Sequence, residues 1–135
     1  MTTTRAKPLV LIVDDEGSFL EIMSIKLKAA GYDTATARNA EEGIKQTEKL
    51  MPNLVLMDIH MPPGPTGTDA ALTIKQNPKT KDTKIAFLTS LKDPWPSLTG
   101  PNLEVSKELG MDDFIEKTED LNKAVEKVKE ILARK

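Results

Sequence analysis

Short blocks of uninterrupted apolar residues alternate along the chain with segments whose apolar residues recur every three or four positions. Five blocks read as strands: Leu9–Val13, residues 32–37, Leu54–Asp58, Lys84–Thr89 and Asp113–Glu116. Leu9-Val10-Leu11-Ile12-Val13 and Leu54-Val55-Leu56-Met57 contain no polar member, as expected of strands covered on both faces of a parallel sheet. Residues 32–37 alternate weakly and read as a less buried strand.

Between the strands the period changes. Leu20, Met23, Leu27 and Ala30 keep helical spacing, with Ser18 as a candidate cap and Gly31 as a stop. Asn39-Ala40-Glu41-Glu42 opens a second helix with an acid at the capping-box position, and Met51-Pro52 closes it. A third helix is predicted over residues 69–76, ended by Asn77-Pro78, and a fourth over about residues 103–109. The last places Leu121, Ala124, Val125, Val128, Ile131 and Leu132 on one face. This rhythm of strand and helix predicts a parallel α/β sheet with helices on both faces.

Composition narrows the class. At 135 residues the chain suits one domain, expected over residues 8–135 behind a flexible tail at 1–7. The net charge of −2, with lysines interleaved among Glu and Asp, predicts no nucleic-acid surface. There is no cysteine, which excludes disulfides and thiolate metal sites. Apolar runs of about five residues fall far short of the roughly 20 that span a bilayer, and the first seven residues lack the core of a signal peptide. No membrane contact and a cytoplasmic location are expected.

The chemistry stands at the strand ends. Asp14 and Asp15 follow the first block, Asp58 ends the third, Thr89 ends the fourth and Lys117 follows the fifth. In a parallel sheet these residues, spread over about a hundred positions, converge on one edge, where open α/β sheets bind ligands. Two carboxylates about 6 Å apart repel by roughly 3 kcal/mol at an effective dielectric of 20. A hard cation relieves that conflict, and oxygen donors favour Mg²⁺, which also implies a phosphate. With Lys117 and the Thr89 hydroxyl nearby, Asp58 looks like a carboxylate nucleophile that forms an aspartyl phosphate. Simpler roles exist for each residue: helix capping for Asp14 and Asp15, a turn for Asp58, a strand end for Thr89, a solvated amine for Lys117 and core packing for Phe114.

The motifs Val10-Leu11-Ile12-Val13-Asp14-Asp15-Glu16, Leu54-Val55-Leu56-Met57-Asp58-Ile59-His60-Met61-Pro62, Leu88-Thr89-Ser90 and Gly110-Met111-Asp112-Asp113-Phe114-Ile115-Glu116-Lys117 resemble the receiver domain of two-component response regulators. The resemblance implies a flavodoxin-like, doubly wound sheet of five parallel strands in the order 2-1-3-4-5. It implies that Asp58 takes a phosphoryl group from a sensor histidine kinase or a histidine phosphotransfer protein. Mg²⁺ would be held by Asp15, Asp58 and the backbone carbonyl of His60, with Asp14 acting through water. Lys117 and Thr89 would contact the phosphoryl group, and Thr89 with Phe114 would form the switch read by a downstream protein partner.

Such a domain phosphorylates itself from a donor and loses the group again, without being an enzyme in the usual sense. A stand-alone signalling domain is the expected form. A receiver-like interaction module that works without phosphate is the alternative. Three positions depart from the family pattern: Thr118 stands where a proline usually follows the lysine, the loop from Asp58 to Gly67 is longer, and residues 93–101 around Trp95 replace the start of the usual fourth helix.

Overall fold

In the computed structural model, which describes residues 7–58, 67–89, 113–117 and 121–133, the apolar blocks become strands because only a sheet covered on both sides can dry them. The strands are β1 (Leu9–Val13), β2 (Asp33–Ala37), β3 (Leu54–Asp58), β4 (Lys84–Thr89) and β5 (Asp113–Glu116). They pair in parallel in the order β2-β1-β3-β4-β5. The expected topology is the observed one. Every residue of β1 and β3 is buried, whereas β2, at the sheet edge, has only Ala37 fully covered.

Among the described residues, four helices cover the sheet: α1 (Gly17–Ala29), α2 (Ala40–Leu50), α3 (Gly67–Gln76) and α4 (Leu121–Ala133). The alternation of strand side chains divides the core in two. Val10, Ile12, Leu54, Leu56, Ala86 and Leu88 pack with Met23 and Leu27 of α1 and Val128 and Ile131 of α4. Leu11, Val13, Val55, Met57, Ile85 and Phe87 pack with Ala40 of α2 and Ala71 and Ile74 of α3. Each large apolar side chain dried this way contributes about 1.5–3 kcal/mol.

Local signals set the helix ends, with one correction. Ser18 does not cap α1. The N-cap is Glu16, whose side chain makes no capping bond, and the Glu16 N–H donates to Asp14 Oδ1 at 2.9 Å. At the other end the Tyr32 N–H reaches Leu27 O and the Gly31 N–H reaches Lys28 O. That arrangement needs the left-handed backbone that Gly31 supplies at φ 103°. Asn39 caps α2 as expected, accepting from the Glu42 N–H at 2.8 Å. Helix α3 begins at Gly67, two residues ahead of the sequence expectation, and β2 begins at Asp33 rather than Tyr32. The expected helix over 103–109, Trp95 and the 93–101 segment lie outside the described residues.

Side chains tie the layers at their ends. Asn53 Oδ1 accepts from the Leu9 N–H and the Asn53 N–H donates to Leu9 O, both at 2.9 Å, so β1 and β3 start in register. Lys84 Nζ donates to Ile131 O at 3.0 Å, meeting an open carbonyl at the end of α4.

Gly43 sets how closely α2 approaches β1. A Cβ built there would stand 3.0 Å from both γ-methyls of Val13, a buried side chain with a stiff χ1. Gly43→Ala is therefore expected to lower unfolding stability by about 1–2 kcal/mol in urea, although alanine gains about 1 kcal/mol in helix propensity. In a Val13→Ala background the same substitution should become neutral or stabilising. Stabilisation in the wild-type background would show that α2 can move off the sheet.

Candidate acidic phosphoacceptor site

Strand register builds the site. Val13 of β1 is level with Met57 of β3, so the next residues, Asp14 and Asp58, leave the sheet side by side. Asp58 is level with Leu88 of β4, and Thr89 with Glu116 of β5, which brings Lys117 to the same edge. Ligand oxygens of Asp14, Asp15 and Asp58 lie within 4.8 Å of one another.

The three carboxylates have different surroundings. Asp14 is fully buried, Asp58 is 8% exposed, and Asp15 faces solvent. The Asp14 N–H extends the β1–β2 pairing by donating to Ala37 O at 3.0 Å. Its Oδ1 accepts from the Glu16 N–H, a turn that redirects the chain from β1 into α1. The helix-capping role open to Asp14 from the sequence is thus partly real, and it coexists with the cluster.

Among the described residues, Lys117 is the cation beside these carboxylates. Its Nζ lies 2.8 Å from Asp14 Oδ2, 2.6 Å from Glu16 Oε1 and 4.0 Å from Asp58 Oδ2, and 4.7 Å from the centre of the Phe19 ring. The amine is off the line of a well-formed bond to Asp14, so the buried Oδ2 has an ion-pair neighbour but no aligned hydrogen-bond donor. Burial pushes the Asp14 carboxyl above its ordinary value, and Lys117 and the Glu16 N–H only partly offset that. For Lys117, burial favours the neutral amine, but the ion pair with Asp14 and the bonded Glu16 carboxylate outweigh it and hold the amine above its usual range.

The donor set fits Mg²⁺. Three hard oxygen donors converge, and one buried oxygen lacks an aligned donor. Oxygens on one Mg²⁺ with bonds of about 2.1 Å lie roughly 3–4.2 Å apart, close to the spacing already present.

Of the residues expected from the sequence, the structure brings Asp14, Asp15, Asp58 and Lys117 together. It places the backbone of Thr89 at the end of β4 and that of Phe114 within β5. Their side chains, like His60 and Thr118, lie outside the described residues. Sequence reasoning missed Glu16 and Phe19. Glu16 stood inside the quoted acidic motif without a role, and its place beside the aspartate pair was the available signal. Phe19 carried none beyond its position in the first turn of α1.

The direction of the Asp14 shift has a consequence for stability. A carboxyl raised in the folded state binds protons more tightly there, so its contribution to stability is present at low pH. That contribution is lost as pH rises from 3.8 through the folded value. In metal-free buffer, Asp14→Asn should remove this downward slope and be the more stable protein at pH 7, as read from urea midpoints across the pH series. A gap that closes as pH rises would contradict the assignment.

The comparisons agree with the geometry. The model of the response regulator receiver domain matches residues 10–129. The phosphate regulon transcriptional regulatory protein PhoB of Pseudomonas aeruginosa is 31% identical over 125 residues, 93% of this chain and 52% of that protein. The chain spans about half the length of the curated relatives it matches. Among solved structures, a CheY-like response regulator receiver domain protein from Methanospirillum hungatei has a TM-score of 0.76 at 28% identity, covering 94% of each chain. The chemotaxis response regulator CheY4 of Vibrio cholerae shares the fold, with a TM-score of 0.78 at 24% identity over 93% of this chain and 99% of that one. Receiver domains bind Mg²⁺ at an acidic pocket, and this chain carries the corresponding cluster. The chain belongs to the response regulator receiver domain family, the phosphoacceptor signalling domains of two-component systems.

Proposed function

We propose that Asp58 is the phosphoacceptor of this receiver, taking the group from a histidine kinase or a histidine phosphotransfer protein. The observation that carries the reading is a nearly buried carboxylate at the end of β3, inside an acidic cluster and 4.0 Å from a lysine amine. A carboxylate is already ionised at neutral pH and needs no general base. An Asp58 oxygen attacks phosphorus, the new O–P bond forms as the donor's P–N bond breaks, and the electron pair leaves with the imidazole nitrogen, which takes up a proton.

Asp14, Asp15 and Asp58, with the His60 carbonyl, are the proposed holders of Mg²⁺, which when bound neutralises charge on the transferring oxygens. Lys117 pairs with one of those oxygens, and the Thr89 hydroxyl bonds another. The Thr89 contact is the step that Phe114 passes to the output surface. Output is by contact with a protein surface. PhoB is named as a transcriptional regulator, so the expectation that nucleic acid is not a partner is kept for the surface of this domain alone, whose net charge is −2. No helix among the described residues is long and apolar enough to cross a membrane.

Acetyl phosphate with Mg²⁺ should add one phosphoryl group to the protein, detected as a mass increase. Asp58→Asn or chelation of the metal should abolish it. Labelling that survives Asp58→Asn would remove Asp58 as acceptor. Mg²⁺ alone, at about a hundred times its dissociation constant, should raise unfolding stability by roughly 2.7 kcal/mol, and Asp15→Asn should remove most of that gain.

A further inference from the structure

We propose that Glu16 is a positioning residue that holds Lys117 in a resting place, and that it must release the amine before a phosphoryl group on Asp58 can be paired. The proposal rests on the reading of Asp58 as phosphoacceptor. The distances set the order of partners: Lys117 Nζ is 2.6 Å from Glu16, 2.8 Å from Asp14 and 4.0 Å from Asp58. The amine is thus held closest to Glu16 and Asp14, and its ion pair with Asp58 is the longest of the three.

Exposure decides which partner yields. The Asp14 side chain is fully buried, whereas that of Glu16 is 60% exposed. Releasing Asp14 would strand a carboxylate out of water, and releasing Glu16 returns one to water. The Glu16 backbone stays fixed while this happens, since its N–H donates to Asp14 Oδ1 and its carbonyl accepts the Leu20 N–H at 3.1 Å. Only the side chain has to swing. Phe19 gives Lys117 a second hold, with the ammonium 4.7 Å from the ring centre. Lys117 therefore pivots between two carboxylate sides about an aromatic rest, and Glu16 sets the threshold for the move.

Glu16→Gln keeps the shape and removes the charge. At saturating Mg²⁺ it should speed labelling of Asp58 by about threefold to fivefold, the range expected from a partly exposed charge pair. The factor should be the same with acetyl phosphate and with phosphoramidate, which differ in charge. A factor that follows donor charge would mean simple repulsion at the mouth and would overturn the proposal, as would an unchanged rate.

A second measurement does not depend on turnover. The ¹⁵N signal of the Lys117 ammonium should differ between wild type and Glu16→Gln in the unphosphorylated protein. With beryllofluoride and Mg²⁺ bound as a phosphoryl analogue, the two signals should coincide, because Glu16 has already let go. A difference that persists in the loaded protein overturns the proposal. Labelling that is lost in Asp58→Asn but unaltered in Glu16→Gln would sink this inference and leave the acceptor in place; labelling that survives Asp58→Asn would sink the underlying reading.

Discussion

The adjacency of β1 and β3 is the constraint on which the rest depends. Two strands with every residue buried must be covered by helices on both sides, and their parallel register brings Asp14 and Asp58 out of the sheet at one level. Carboxylates placed there cannot spread apart, because the residues before them are locked into the core. The repulsion that results is a property of the fold, and a cation placed among these oxygens would relieve it.

Lys117 offsets part of that repulsion. It comes from the far end of the chain and reaches Asp14 and Glu16 at bonding distance, with Asp58 further off. Burial raises the Asp14 carboxyl, and the neighbouring Asp14 and Glu16 carboxylates raise the Lys117 amine, so the buried carboxylate costs stability when it ionises and the amine gains it when charged. Strain of this kind at a strand edge is tolerated because the sheet beneath is fully packed. Gly43 belongs to the same support: it lets α2 sit against Val13, the residue just before Asp14.

Much of this was legible in the residues. The apolar blocks marked β1 and β3 to the residue, because a strand buried on both faces has no choice of pattern, and the edge strand β2 was placed to within a residue by its weaker alternation. The acids and the lysine stood at the ends of those blocks, so their meeting followed once the sheet was taken as parallel. The start of α1 was less legible. Ser18 is a good capping residue by type, but the orphan N–H at that end went to Asp14, whose buried carboxylate had greater need of a donor.

Glu16 and Phe19 show where local reading stops. Nothing in the order of residues distinguishes a solvated glutamate from one that reaches a lysine 101 positions away, since that contact exists only when β1 and the end of β5 meet at one edge. By itself, then, the sequence determined the alternation of strands and helices, the doubly covered sheet and the identity of the acidic cluster, because hydrophobic period and residue type act over short range. Tertiary structure alone decided which carboxylate is dry and which is wet, and which of them holds Lys117. Those outcomes depend on distance and burial, which the chain acquires only when it closes on itself.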